Sequence, residues 1–318
     1  MINPRRGVTM SAQIPILLIG FNRLQHLSAR LDELVNSKVR IPLVFIVIDG
    51  PRVGNNFDLT AIANIAKLIK QYEKILPINY KIRDINFGLT KNIEQSISDL
   101  FENFEFLIIV EDDVSISPDF YGSMCSAIKE FLNKDNIYVI GSYSIFKKNN
   151  SLMLKNITPK NRWRVTSYFF TWGIATSREF WNLYRKENLN YSSSKNWNNL
   201  SNRKKRIWLR RFANGTWDYK AQRTLFLNDG FSLAPLYRFS TNEGMGDPLS
   251  THTRFPKPWY IFGHGYSGGI PTGKMQNNKF WKFIDSNTLA GDGLFSTRAR
   301  SAGIRTILKK FFSLQIKK

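Results

Sequence analysis

Four short strand-like runs, three of them continuously apolar, punctuate roughly the first third of the chain, and each ends on a polar cluster. Ile14–Ile19 (IPILLI) ends at Gly20-Phe21-Asn22-Arg23, and Pro42–Ile48 (PLVFIVI) ends at Asp49-Gly50-Pro51-Arg52. Tyr80–Ile85 leads into Asn86-Phe87-Gly88, and Phe106–Val110 (FLIIV) into Glu111-Asp112-Asp113. Segments with helical spacing lie between them, at His26–Val35, Leu59–Leu76 and from Thr90 to Phe101, where the Thr90 hydroxyl can cap a first-turn amide. A strand that is apolar on both faces must be covered on both faces. The alternation therefore predicts a mostly parallel sheet with helices on either side. Ligands of such sheets sit beyond the carboxyl ends of the strands, where all four polar clusters fall.

Beyond about Asn150 the chain becomes basic and rich in Asn and Trp. From Lys155 to Lys220 there are 15 Lys and Arg against Glu179, Glu187 and Asp218, a local charge of +12. Weak strands are expected near Ser167–Ile174 and Phe231–Ala234, and helices at Arg178–Arg185 and Trp217–Leu227. Glu243–Gly273 is rich in Gly, Pro, Ser and Thr and reads as loop. The last stretch, Arg298–Lys318, holds seven basic residues and no acid. Its Ile304–Phe312 segment has an apolar and a basic face, which suits an interfacial helix on anionic lipid, a helix packed on the domain, or a basic tail.

At 318 residues the chain is long enough for one large α/β domain or two smaller ones. Its net charge of +22 attracts polyanions, be they nucleic acid, anionic headgroups or phosphorylated substrates. The single cysteine, Cys125, excludes an intrachain disulfide and reads as a small core residue of a helix. No apolar run approaches the ~20 residues of a membrane span, and the first residues lack the apolar middle of a signal peptide. These features lead us to expect a cytoplasmic protein, with peripheral attachment to the inner face of a membrane through its basic segments.

Glu111-Asp112-Asp113 follows directly on a buried strand. Alternation sends Glu111 and Asp113 to one face and Asp112 to the other. Adjacent carboxylates repel, and a bound cation relieves that repulsion. Mn²⁺ or Mg²⁺ takes oxygen ligands, typically one or two carboxylates plus substrate phosphates. The alternative is a solvated acidic turn. Asp218 stands apart, in Trp217-Asp218-Tyr219 at the start of a helix. A separate carboxylate suits a general base, and an acid there also suits the helix dipole.

The run FLIIVEDDVSISPDF resembles the strand-plus-acidic motif of GT-A-fold glycosyltransferases, in the form found in bacterial family-two-like enzymes and N-acetylglucosaminyltransferase I. IPILLIGFNR, VFIVIDGPR, INFGLTKNI, FFTWGIATSREFW and NGTWDYKAQRTLFLNDGFSLAPLYRFSTNEGMGDPLSTHT resemble further segments of the same pattern, in order, over residues 14 to 253. The resemblance implies a GT-A (Rossmann-like) mixed, mostly parallel sheet. Residues 14–150 would form its nucleotide-sugar half and 151–295 its acceptor half, with an extension at 1–13 and a basic tail at 296–318. It implies Asp113 as metal ligand, with His252 in the late loop as a second. Asp112 would contact the ribose or share the metal shell, and Glu111 would orient the donor sugar. Asn22, Arg23 and Asp49 would hold the nucleoside, and Lys91 would reach a phosphate. Trp172-Gly173 would form a platform for the sugar, where core packing competes for Trp172. Asp218 would be the base of an inverting transfer. The implied partners are a nucleotide-sugar donor, with UDP as carrier, and a glycan or lipid-linked oligosaccharide acceptor in bacterial lipopolysaccharide or capsule synthesis.

Two other readings compete. A sugar nucleotidyltransferase shares the layout but usually carries a Gly-rich basic loop after the first strand, where this chain has Gly-Phe-Asn-Arg. A nucleic-acid-binding protein would explain +22, but the basic residues fall into no nucleic-acid motif. Gly-Gly-Ile-Pro-Thr-Gly-Lys lacks the spacing and the preceding strand of a phosphate loop.

Overall fold

A computed structural model describes residues 13–144, 163–166, 169–186, 191–202, 205–206, 209, 213, 215–235 and 237–244. The first stretch runs β1 (Ile16–Gly20), α1 (Leu24–Val35), β2 (Val44–Ile48), α2 (Asn56–Tyr72), β3 (Ile78–Ile82), α3 (Leu89–Phe101), β4 (Phe106–Glu111), β5 (Val114–Ile116), α4 (Phe120–Phe131) and β6 (Ile137–Gly141). Then come β7 (Trp163–Thr166), β8 (Ile174–Ser177), α5 (Arg178–Lys186), the short α6 (Lys195–Asn198), α7 (Trp217–Leu227), β9 (Phe231–Pro235) and β10 (Ser240–Asn242).

The architecture is the mixed, mostly parallel α/β sheet expected. Eight strands lie in the order β3-β2-β1-β4-β8-β6-β9-β7. β3, β2, β1 and β4 run parallel, so their carboxyl ends share one edge, and β6 also runs parallel to β9. β8 enters antiparallel between β4 and β6, and β7 closes the far edge antiparallel to β9. One sheet thus carries strands from both sides of Asn150.

The strands explain the two layers residue by residue. Ile16 and Leu18 point to one face and pack with Leu27, Leu31 and Leu34 of α1, Ile62, Ile65 and Ile69 of α2, and Phe120 and Met124 of α4. Leu17 and Ile19 point to the other and pack with Ile93, Ile97 and Leu100 of α3, Phe180, Trp181 and Tyr184 of α5, and Trp217, Ala221 and Leu225 of α7. Each such aliphatic side chain contributes about 1.5–3 kcal/mol when fully buried.

Five expectations need correcting. The third helix starts at Leu89 with Gly88 at its N-cap and no side-chain cap, so Thr90 lies inside its first turn. The third strand lies at Ile78–Ile82, not Tyr80–Ile85. It is a half-exposed edge strand, so burial leaves no apolar signature, and its position follows from pairing Val44 with Ile78. Its Lys81 helps to keep that edge from templating another strand. The second helix starts at Asn56, three residues before Leu59, because Asn55 caps it by accepting from Asp58 N. No strand occupies 169–173. The chain instead forms β7 before that stretch and β8 after it, with Gly173 turning between them. Cys125 is only partly buried against the core, and burial raises its thiol pKa to about 11.

A two-stranded antiparallel ribbon decides where the end of the described chain goes. β10 pairs with β5, Asn242 opposite Val114, and Glu243 N then donates to Asp113 O at 2.7 Å. Gly244 lies so close under the acidic motif that a Cβ there would stand 2.3 Å from Asp113 Oδ2.

Candidate active site

The polar clusters converge because their strands are parallel neighbours. Asp49 N donates to Gly20 O at 3.0 Å, and Asp112 N to Ile19 O at 2.8 Å, so the loops after β1, β2 and β4 leave the sheet side by side. Asp112 is buried and Asp113 mostly so, with side-chain exposures of 3% and 15%. Arg23, in the turn between β1 and α1, bridges them. Its Nε and Nη2 donate to the Asp112 carboxylate, and Nη1 donates to Asp113 Oδ2 at 3.1 Å.

The electrostatics follow from that packing. Burial works against the charged Arg23 guanidinium, but the two aspartates outweigh it and hold its pKa above the ordinary arginine value. Burial pushes the Asp112 carboxyl up, and Arg23 pulls it back. Glu111 is pushed well above the carboxylate range, first by removal from water, then by the charges of Asp113, Asp112 and Asp218. That last contribution shows the tertiary structure bringing Asp218, at the start of α7, toward the acidic motif. Asp218 itself accepts from the Thr216 hydroxyl.

Asp113 Oδ1 is buried and has no hydrogen-bond partner. A carboxylate oxygen shielded from water is costly unless a donor or cation meets it, and hard oxygens are what Mg²⁺ and Mn²⁺ prefer. Among the described residues no three His, Cys, Asp or Glu side chains converge to hold a metal by themselves. The residues present fit a cation that takes one or two carboxylates and completes its shell from phosphate oxygens and water. His252 lies outside the described residues. His26 lies on α1, the helix that follows the Arg23 turn.

The other expected residues have defined jobs. Asp49 is buried, and its carboxylate ties the loop after β2 to the loop after β3. Oδ1 accepts from Gly50 N at 2.9 Å and Phe87 N at 2.8 Å, and Oδ2 from Gly88 N at 2.9 Å and Asn86 Nδ2 at 3.1 Å. A base reaches Asp49 only by displacing one of these donors. Lys91 is exposed on the first turn of α3, with Nζ 4.5 Å from the Phe87 ring centre. Trp172 is half-buried in a cluster with Phe170 and Tyr143, at centroid distances of 5.1 and 4.6 Å. Gly173 has φ +79°, and a Cβ there would stand 2.5 Å from Ser142 Oγ. Gly173→Ala should therefore cost about 1–3 kcal/mol of stability from backbone conformation alone, read as a lower urea midpoint. An unchanged midpoint would show that the turn relaxes.

Asn22 donates Nδ2 to Asp58 Oδ1 at 2.7 Å, and Arg52 binds the same carboxylate through Nε at 2.7 Å and Nη2 at 2.9 Å. The Arg52 hydrogen bonds, more than any other interaction, lower the Asp58 pKa to about 2. A carboxylate with a depressed folded pKa adds stability above its unfolded pKa, and that stability is lost as pH falls through the folded value. The stability gap between the wild type and Asp58→Asn should therefore shrink between pH about 4 and 2. Urea midpoints across that range test this, and a constant gap would refute it.

Sequence reasoning missed Arg30. It is 1% exposed and sits on α1 beneath the acidic motif. Nη1 donates to Glu243 Oε2 at 3.1 Å and Asp112 O at 3.4 Å, and Nη2 donates to Glu33 Oε1 at 2.8 Å and Glu243 Oε2 at 3.2 Å. Glu33 Oε2 in turn accepts from Ile116 N at 2.8 Å. A charged residue on the buried stripe of an amphipathic helix was the available signal, because such a charge needs partners.

No protein-family model matches the sequence, and a comparison with curated proteins also returns no match. Solved structures match weakly. The mannosyltransferase PcManGT from Pyrobaculum calidifontis, in complex with GDP-Man and Mn²⁺, is 13% identical over 55% of this chain and 46% of that one, with a TM-score of 0.37. TarS 1–349 from S. aureus is 11% identical over 73% and 60%, at 0.43. The same TarS fragment with UDP-GlcNAc is 15% identical over 41% and 33%, at 0.32. The chain thus spans between 33% and 60% of these solved chains. Likeness at this level decides nothing about the chemistry, which rests on the site's own geometry. No helix among the described residues is long and apolar enough to cross a membrane.

Proposed function

We propose that the chain is a metal-dependent, inverting glycosyltransferase that moves a sugar from a nucleotide sugar to a glycan or lipid-linked acceptor. The observation that carries this reading is the buried, unpartnered Asp113 Oδ1 at the shared carboxyl edge of four parallel strands. Asp113 would hold Mn²⁺ or Mg²⁺, with Asp112 beside it and His252 as a further ligand. A cation held there would supply neutralising charge to the leaving diphosphate. Asn22, Arg23 and Asp49 would hold the nucleoside, Lys91 would reach a phosphate, and Glu111 would orient the sugar with Trp172 and Gly173 as its platform. Asp218 takes the proton from the acceptor hydroxyl as that oxygen bonds to the anomeric carbon. The bond from that carbon to the diphosphate oxygen breaks at the same time, and the nucleoside diphosphate departs.

The resemblance of the ordered motifs to family-two-like and N-acetylglucosaminyltransferase I-like enzymes supports this reading. It also favours UDP as carrier and a bacterial lipopolysaccharide or capsule intermediate as acceptor. The charge of +22 would bring the enzyme to an anionic membrane surface.

A thermal-shift screen of nucleoside diphosphates and nucleotide sugars with Mn²⁺ tests the reading. Selective stabilisation by one nucleotide is expected, amounting to about 2.7 kcal/mol at a hundredfold excess over Kd. No response to any nucleotide would end the proposal. Pyrophosphate release from a nucleoside triphosphate would point to nucleotidyl transfer instead.

A further inference from the structure

Arg23 stands where a divalent cation would neutralise the acidic pair. Its guanidinium contacts both Asp112 and Asp113, joining two carboxylates that would otherwise repel across adjacent positions. It satisfies Asp113 Oδ2 and leaves Oδ1 buried without a partner. The fork therefore holds the motif together without saturating it. Arg23 also sits at the boundary of α1, with φ −99° and ψ 81°, outside helical geometry, and its side chain caps nothing. Its side chain is 17% exposed. The turn Gly20–Arg23 therefore lets the long side chain reorient without unwinding a helix. A guanidinium fork matches phosphate oxygens as well as it matches a carboxylate.

We propose that Arg23 is a resident cation exchanged for the metal when a nucleoside diphosphate arrives. The diphosphate draws the guanidinium from Asp112 and Asp113 onto its own oxygens, and the divalent cation takes the vacated carboxylates. Metal and donor then enter as a pair, and the metal alone binds poorly. This inference rests on the donor-site reading above.

The exchange has a quantitative consequence. A ligand that binds only the conformer with Arg23 withdrawn has its affinity reduced by the fraction of that conformer. If Arg23 is withdrawn a tenth of the time or less, removing it tightens binding of the metal alone by about tenfold or more.

The test is Mn²⁺ binding followed by the electron paramagnetic resonance of free Mn²⁺, with no turnover involved. Wild type, Arg23→Ala and Arg23→Gln are titrated with Mn²⁺ alone and with Mn²⁺ plus UDP or GDP. Arg23→Gln keeps a polar side chain in the turn and covers the case in which Arg23→Ala folds poorly. Both variants should bind Mn²⁺ alone about tenfold tighter than wild type, and Asp113→Ala in the Arg23→Gln background should abolish the gain. In wild type the nucleoside diphosphate should tighten Mn²⁺ binding by more than it does in either variant. Equal or weaker binding of Mn²⁺ alone by both variants overturns the exchange. So does a nucleotide effect of the same size in wild type and variants. Tighter Mn²⁺ binding by the variants, with no response of any protein to UDP or GDP, keeps the competition between arginine and metal and overturns the donor reading and the diphosphate trigger.

Discussion

Asp113→Ala should lower metal-dependent sugar transfer by roughly two to three orders of magnitude in kcat, because it removes a ligand of the cation that would neutralise the negative charge developing on the leaving diphosphate, and loss of one such source of charge stabilisation usually costs that much. The expectation follows from position. Asp113 lies one residue past β4 and its companion, on the shared carboxyl edge, with Oδ1 buried and unpartnered and Oδ2 held by Arg23. Stability should change little by comparison. The substitution removes an already unsatisfied oxygen, and Arg23 keeps its contacts with Asp112. Turnover measured against Mn²⁺ concentration, beside a urea melt, separates the two effects. Wild-type metal-dependent turnover in Asp113→Ala would remove this residue from the site. A collapse of the fold would show instead that the motif is a structural ion cluster.

Arg30→Met should lower stability by about 3 kcal/mol, toward the low end of the cost of removing one partner of a buried ion pair. The low end applies because Glu243 is 42% exposed and Glu33 24%, so both can recover some water. Methionine fills much of the volume, and what is lost is the charge that Glu33, Glu243 and Asp112 O share. The thermal midpoint should fall by roughly 6–12 °C for a domain of this size. In a double-mutant cycle with Glu243→Gln, the second substitution should cost less in the Arg30→Met background. Additive costs would mean that Arg30 does not anchor the segment at 243–244.

The central strands were legible because burial on both faces leaves a mark in the sequence itself. VFIVI and FLIIV need no partner to be recognised. α7 was placed at Trp217–Leu227 as expected, its apolar positions recurring at helical spacing. β3 was misplaced because an edge strand is half-exposed and only its register with β2 locates it. β5 and β10, of three residues each, are too short for periodicity to register.

The site divides in the same way. The acidic motif, the Asn22-Arg23 turn and Asp49 could be picked out because each follows an apolar strand. Their employment could not. Asp49 is tied by four donors to its own and the neighbouring loop, Asn22 serves Asp58, and Arg23 grips residues 89 and 90 positions away.

The sequence by itself determined that a two-faced sheet would gather four polar clusters on one edge, because hydrophobic periodicity is a local property and the burial it demands is geometric. Only the tertiary structure decided that Arg23 fills the acidic pair, that Arg30 reaches Glu243 across 213 residues, and that Asp218 acts on Glu111. Ion pairs and hydrogen bonds depend on where distant segments meet in three dimensions, and spacing along the chain does not record that.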